Sequence, residues 1–351
     1  MSPEFGYCFA SDNTAPATPE TMHALLCANA ALAEASYGAD SVTAKAESLF
    51  RELFETDCSV YFCFTGTGAN ALCISAMRKS YESVYCAPEA HLERDETAAP
   101  EFFAQGLKLH LAGNAAGDKV SIAAMNEWQA RNRGVHTAQP KVISLTQATE
   151  LGTLYDLAEL DALHHYASSH GLRIHMDGAR FTNAVAALGV APAELTWKRG
   201  VAALCFGGTK NGLGLSEAIV IFDPELAHQF AHRRKQSGQL ASKMRLLSAP
   251  WLPAIGEGWG LKRAAHANAM ASRLAGGLQG LGLRLAFPCQ INGVFVCLPQ
   301  PVVSALSALG WHFYQFMAPD VYRFMCAWST TESMVDRLLD DFRRSLPSAG
   351  A

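Results

Sequence analysis

Between about residue 59 and residue 225, short apolar runs alternate with helix-length amphipathic segments, and this order restricts the fold more tightly than anything else in the chain. The runs read as strands at residues 59–64, 83–87, 108–112, 141–146, 173–176, 201–206 and 218–222. Between them the spacing predicts helices, among them 69–79, 121–131 and 157–170. Such a succession predicts an α/β fold, a mostly parallel sheet with helices on both faces. Sheets of that kind bind ligands in the crevice outside the carboxyl ends of their strands. Beyond Pro250 the pattern changes to a long helix near 261–281, two short strands, a helix from Val302, a strand at 321–327 and a charged helix from Glu332 to about Ser345. We therefore read residues 1–250 as a large domain that includes the N-terminal segment. Residues 251–351 read as a smaller α+β domain, with the break inside 249–260.

Composition narrows the function. A chain of 351 residues, 50% hydrophobic, has ample length for a full core. A net charge of −4, with Lys and Arg scattered, points to neither nucleic acid nor an anionic membrane as partner. No apolar run reaches the roughly 18 residues of a membrane-spanning helix. Met1 to Glu20 lacks the basic-then-apolar order of a signal peptide. The ten cysteines form no CxxC pair, and Cys63, Cys73, Cys205, Cys297 and Cys326 sit in apolar runs. Reduced, buried thiols and a cytoplasmic setting are expected, with no metal site assigned.

Four features fall at predicted strand ends. Gly66-Thr67-Gly68-Ala69-Asn70 lies between a strand and a helix, where free N–H groups and the helix dipole make either a phosphate cradle or a plain tight turn. It lacks both the Lys-Ser/Thr of a P-loop and the GxGxxG spacing. His91 follows the next strand and can stack on a flat ligand or exchange protons near neutrality, or be an ordinary structural histidine. His175-Met176-Asp177-Gly178-Ala179-Arg180 closes a further strand. Asp177 can hold a proton on a pyridine nitrogen and Arg180 an anionic oxygen, or the two can form a structural pair. Finally, Lys210 sits in the Gly-rich turn Gly207-Gly208-Thr209-Lys210-Asn211-Gly212. Partial desolvation depresses an amine's pKa and makes it a nucleophile toward a carbonyl. Cradle, stacking histidine, carboxylate and lysine are, in order, the parts that grip pyridoxal 5'-phosphate.

These stretches, with Phe9-Ala10-Ser11-Asp12-Asn13, resemble the L-threonine aldolase family, low-specificity β-hydroxy-amino-acid aldolases of the fold type I, aspartate-aminotransferase-like pyridoxal phosphate enzymes. The resemblance spans essentially the whole chain. Gln239-Leu240-Ala241-Ser242-Lys243-Met244-Arg245 and Pro250-Trp251 are similar to the Pseudomonas-type threonine and phenylserine aldolases. It implies that Lys210 forms the Schiff base and that Asp177 pairs with the pyridinium nitrogen. Gly66, Thr67 and Gly68 would hold the phosphate, and His91 would stack on the ring. Arg180 would meet the phenolic oxygen or the substrate carboxylate. Ser11 and Arg323 would bind that carboxylate, and His136 would approach the β-hydroxyl. A homodimer or homotetramer with shared sites is implied, Arg245 and Lys235 being the candidates to reach a neighbour's phosphate. The stretch after Lys235 is longer here than in the wider family, which sets its role apart.

The implied reaction is reversible cleavage of L-threonine, L-allo-threonine and related β-hydroxy amino acids to glycine and an aldehyde. The base that takes the β-hydroxyl proton lies between His91 and His136. Other chemistries of the same fold are β-elimination, transamination and racemisation, since fold does not fix chemistry. A non-catalytic ligand-binding relative is the reading from another class, disfavoured by Lys210 and Asp177 standing together.

Overall fold

The computed structural model describes residues 8–30 and 34–346. Seven strands, β1 (Ser59–Cys63), β2 (Glu82–Cys86), β3 (Lys108–Leu111), β4 (Gln139–Thr146), β5 (Arg173–Gly178), β6 (Val201–Gly207) and β7 (Glu217–Ile221), form one sheet in the order β1-β7-β6-β5-β4-β2-β3. The pairs β2–β3, β2–β4, β4–β5 and β5–β6 are parallel, whereas β7 runs antiparallel to both β6 and β1. Only β7 is therefore reversed. Its first residue, Glu217, lies at the same sheet edge as the last residues of its neighbours, since Glu217 pairs with Gly207 and with Cys63.

Local sequence explains the burial. β2, β6 and β7 are buried at every residue, as unbroken apolar strands covered on both faces should be. β3, at the edge, begins with the exposed Lys108 and buries only His110, which blunts the edge against further pairing. Helix Leu157–His170 starts at a capping box made by Asp156 and Glu159 and stops at Gly171, whose φ of 61° suits glycine. Helix Ser41–Phe54 buries Phe50 and Phe54 against Phe62, Phe206 and Trp251, with Phe50 ring centroids 5.9, 5.8 and 5.1 Å from those three. Burying each such ring stabilises by roughly 1.5–3 kcal/mol.

A second sheet, β8 (Gly293–Cys297), β9 (Tyr314–Met317) and β10 (Val321–Met325), is antiparallel in the order β8-β10-β9. Helices Trp259–Gly280, Gln300–Ala308 and Glu332–Ser345 belong to the same part of the chain. Its apolar cluster contains Leu274, Val296, Leu306, Phe324 and Phe342, and also Phe9 from the start of the chain. Phe9 donates to the His312 carbonyl at 2.8 Å and accepts from the Met325 N–H at 2.7 Å. The two strands expected ahead of the Val302 helix are in fact one before it and one after. Leu285 makes only an isolated bridge to Val296, and Pro288 has no N–H with which to extend a ladder. Among the described residues no helix is long and apolar enough to cross a membrane.

Candidate active site

The carboxyl edge of the large sheet and one face of the small sheet enclose a cavity of about 560 Å³. β1, β2, β4, β5 and β6 each deliver a loop to it, and β7 delivers Glu217. β9 contributes Tyr314 and Phe316, and β10 contributes Arg323. Period-two alternation sets Arg323 apart, because Tyr322 and Phe324 on either side of it are buried in the second cluster.

Thr65 caps helix Gly66–Met77, its hydroxyl accepting from Gly68 N–H at 3.1 Å. Thr65, Gly66 and Thr67 line the cavity, so the positive end of this helix faces it. Gly68 is placed differently from the cradle expectation. Its N–H is taken by Thr65, and a Cβ there would lie 2.7 Å from Gln239 Nε2.

Asp177 ends β5. One oxygen accepts from Asn70 Nδ2 at 2.8 Å and the other from Ala179 N–H at 3.0 Å. Asn70 Nδ2 also reaches Glu96 Oε1 at 2.8 Å, and that oxygen lies 2.9 Å from His91 Nδ1. Asp177, Asn70, Glu96 and His91 thus form one hydrogen-bonded chain around the cavity wall. The Glu96 bond holds the His91 imidazolium above its ordinary range, against a smaller opposing effect of burial. Glu150 Oε1 accepts from the His91 main-chain N–H at 2.8 Å, while its Oε2 is buried without a partner. Burial, and then the nearby Asp177, push this carboxyl up to about 7.

Lys210 lies in the single turn Thr209–Asn211 that follows β6. The turn is pinned where Glu217 accepts from Gly208 N–H at 2.8 Å. Gly207 permits close packing: a Cβ there would meet the Ala179 carbonyl at 2.4 Å. Burial, and then the Arg180 charge, lower the Lys210 pKa. No hydrogen bond or ion pair engages its Nζ among the described residues.

The two arginines of the cavity differ. Arg180 is held by Asp12, Nε and one terminal nitrogen reaching its oxygens at 2.7 and 2.9 Å. Arg180 and Lys210 bring the buried Asp12 down to about 2 despite its burial. Among the described residues, Arg323 has no carboxylate in hydrogen-bonding contact. It lies 4.4 Å from the Tyr314 ring centroid and 5.4 Å from that of Phe316, and donates to the Ala10 carbonyl at 3.2 Å. Its Nε is buried without a partner. Burial lowers it to about 10, so it remains a cation at neutral pH. Ser11, also in the wall, accepts from Asn13 N–H at 3.2 Å.

Three expected residues lie elsewhere. His136 is exposed on the turn Gly134–His136, ahead of β4 at its amino end, whereas the cavity is at the carboxyl end. An eight-residue strand spans roughly 26 Å, so within one chain His136 cannot reach the site. Arg245 Nε donates to the Ala28 carbonyl at 3.0 Å, and Lys235 lies over the Tyr37 ring. Conversely, sequence reasoning gave no role to Asp12, Asn70, Glu96, Glu150 or Glu217. Asp12 and Asn70 stood inside quoted motifs, and their burial is the signal that was missing. Glu96 and Glu150 carry no local pattern that marks them.

Known proteins are similar to this chain in sequence and in fold. Residues 9–300 match the family model described as β-eliminating lyase. A low specificity L-threonine aldolase of a Pseudomonas species is 48% identical over 95% of this chain and 96% of its own. The Saccharomyces cerevisiae protein of that name is 26% identical over 82% of this chain and 73% of its own. Among solved structures, a Leishmania major threonine aldolase superposes with a TM-score of 0.91 at 29% identity, covering 96% of this chain and 99% of its own. A Sphingomonas wittichii serine palmitoyltransferase, at 14% identity and a TM-score of 0.74, covers 97% and 87% and shares the fold.

Proposed function

The chain belongs to the β-eliminating lyase family and, within it, to the low-specificity L-threonine aldolases; from that membership we propose how its residues divide the work of cleaving threonine. The protein is a fold type I, pyridoxal phosphate-dependent carbon–carbon lyase that converts L-threonine to glycine and an aldehyde.

The site fits the cofactor. A half-buried lysine without a partner, a carboxylate held by an amide, and a helix N-terminus face one cavity. Lys210 would hold the cofactor's aldehyde carbon, Asp177 its ring nitrogen, Gly66 and Thr67 its phosphate, and His91 the face of its ring. When bound, pyridoxal phosphate supplies the electron sink into which the Cα–Cβ bond is broken. Asp177, kept in place by Asn70 and Ala179, would maintain the proton on the ring nitrogen. Arg323, with no acidic partner among the described residues, would take the substrate carboxylate and so set which Cα bond is aligned for cleavage. Arg180 is already paired with Asp12 and would act as a fixed positive wall beside the cofactor. His91, with Glu96 behind its Nδ1, would exchange the β-hydroxyl proton from its other nitrogen.

The observation that carries this reading is the unpartnered Lys210 amine, pKa lowered, in the same cavity as the Asp177–Asn70–Glu96–His91 chain. Reduction with borohydride followed by peptide mapping should label Lys210. Lys210→Ala should release no aldehyde from threonine. A label on another lysine, or turnover by the variant, would overturn the assignment.

The exposed His136 enters the reaction only if a second copy brings it to a neighbour's cavity. We therefore include at least a dimer, extending to a homotetramer, in the proposal, with Arg245 near such a contact. The ten cysteines, without a CxxC pair, support a cytoplasmic setting.

A further inference from the structure

Behind the cavity floor, three soft donors from three different elements meet. Cys73 comes from helix Gly66–Met77, His175 from β5 and Cys205 from β6, and all three are buried. Cys205 Sγ lies 3.6 Å from Cys73 Sγ and 3.3 Å from His175 Nε2, and all three donor atoms are within 4.8 Å of one another. Zinc–sulfur bonds of about 2.3 Å and zinc–nitrogen bonds of about 2.0–2.1 Å in a tetrahedron require S···S near ~3.7 Å and N···S near ~3.5 Å. The two distances from Cys205 therefore match those of a coordination shell within a few tenths of an ångström, and the third, Cys73 to His175, is under 4.8 Å.

We propose that Cys73, His175 and Cys205 form a site for one thiophilic divalent cation, zinc or cadmium, reached through the active-site cavity. Two further observations support it. The other ring nitrogen of His175, Nδ1, is 2.9 Å from Ser144 Oγ, the kind of outer contact that fixes a ligating imidazole's tautomer and orientation. Cys205 itself lines the cavity, which provides an entry path. Two thiolates balance the charge of the cation, and their two protons leave to solvent as it binds. The buried Cys58, Cys86 and Cys326 show the contrast, since among the described residues no imidazole joins any of them in such a group. They pack as small apolar side chains. The other candidate group, His91, Glu96 and Asp177, carries two carboxylates and belongs to the cofactor site. The cation would sit beside Asp177, whose register partner on β6 is Cys205. Uptake should therefore be slower while the cofactor fills the cavity.

The exposed pair Cys27 and His23, Sγ to Nε2 3.6 Å, offers a competing surface site, so the test uses the full-length holoenzyme carrying Cys27→Ala. Titration with Cd²⁺ should give one equivalent of sulfur-to-cadmium charge-transfer absorption per chain. The ¹¹³Cd resonance should have the shift of a two-sulfur, one-nitrogen site. Adding Cys73→Ala should abolish that signal, with the cofactor's visible absorption reporting an intact fold. Ser144→Ala should weaken cadmium binding by roughly 10–100-fold. A ¹¹³Cd shift showing one sulfur or none, which needs no variant in the cluster, would overturn the proposal. So would an unchanged equivalence in the Cys73→Ala protein.

Discussion

The two sheets each bring one arginine to the cavity, and they hold it in opposite ways. Arg180, at the end of β5, is clamped by the buried Asp12 through two short bonds. Arg323, on β10, is held between two aromatic rings and a main-chain carbonyl, with no acidic group bonded to it among the described residues. A charge already paired within the protein organises a wall. A desolvated charge without a counterion is ready for an anion that arrives. On the proposed reading, this contrast would make the large sheet the source of fixed electrostatics for the cofactor and the small sheet the receptor for the substrate's carboxylate. Phe9 and its neighbours tie the two together, because the strand-like segment that pairs with Met325 also carries Asp12.

The contrast can be broken most severely at the paired arginine. Asp12→Asn removes the counterion and leaves Arg180 buried and unpaired, which should cost about 3–5 kcal/mol in urea unfolding at pH 7. Because folding depresses the Asp12 pKa from 3.8 to about 2, its contribution is complete above about 3.8 and lost as pH falls through about 2. The gap between wild type and variant should therefore narrow over that acid range, by the part that the ionised carboxylate contributes. A gap independent of pH would mean that the pair is not what holds the wall.

A smaller effect, of another kind, is expected at Arg323. Arg323→Ala removes no internal ion pair, so melting should change little, whereas threonine binding loses a charge-assisted bond of roughly 1.5–3 kcal/mol. KM should rise by about 10–150-fold, with glycine affinity falling in parallel because both carry the carboxylate. Equal losses in stability and binding would erase the distinction between the two arginines.

The smallest effect concerns Glu150, an anionic counterpart of Arg323 with one oxygen left without a partner. Its pKa is raised from 4.5 to about 7, so its contribution is fully present below about 4.5 and lost as pH rises through about 7. Above neutrality the native state holds a charge in a poor environment. Glu150→Gln should accordingly be more stable than wild type at pH 8, by about 1–2 kcal/mol once the partial solvent access is allowed for. The two proteins should converge near pH 4.5. Melting curves at the two pH values decide it, and a variant less stable at pH 8 would mean that the carboxylate is paired there.

Much of this protein was determined by its sequence alone. Alternating apolar runs and amphipathic segments set the strands within a residue or two at most ends, and the helices at 157–170 and 332–345 at both ends, since periodicity and caps are local properties. The motifs around Gly66, His91, Asp177 and Lys210 pointed to the cavity because each follows a strand, and parallel strands end at one edge. What only the tertiary structure decided was pairing. Nothing local distinguishes Asp12, which neutralises Arg180 from 168 residues away, or Glu96, which joins His91 to Asn70. Nor does the sequence show that β7 is reversed and brings Glu217 to the lysine turn, or that the turn of His136 opens at the far edge of the sheet. Hydrogen bonds and ion pairs between distant segments depend on where the fold places them. Their energies come from burial, which no single stretch of chain possesses before it folds.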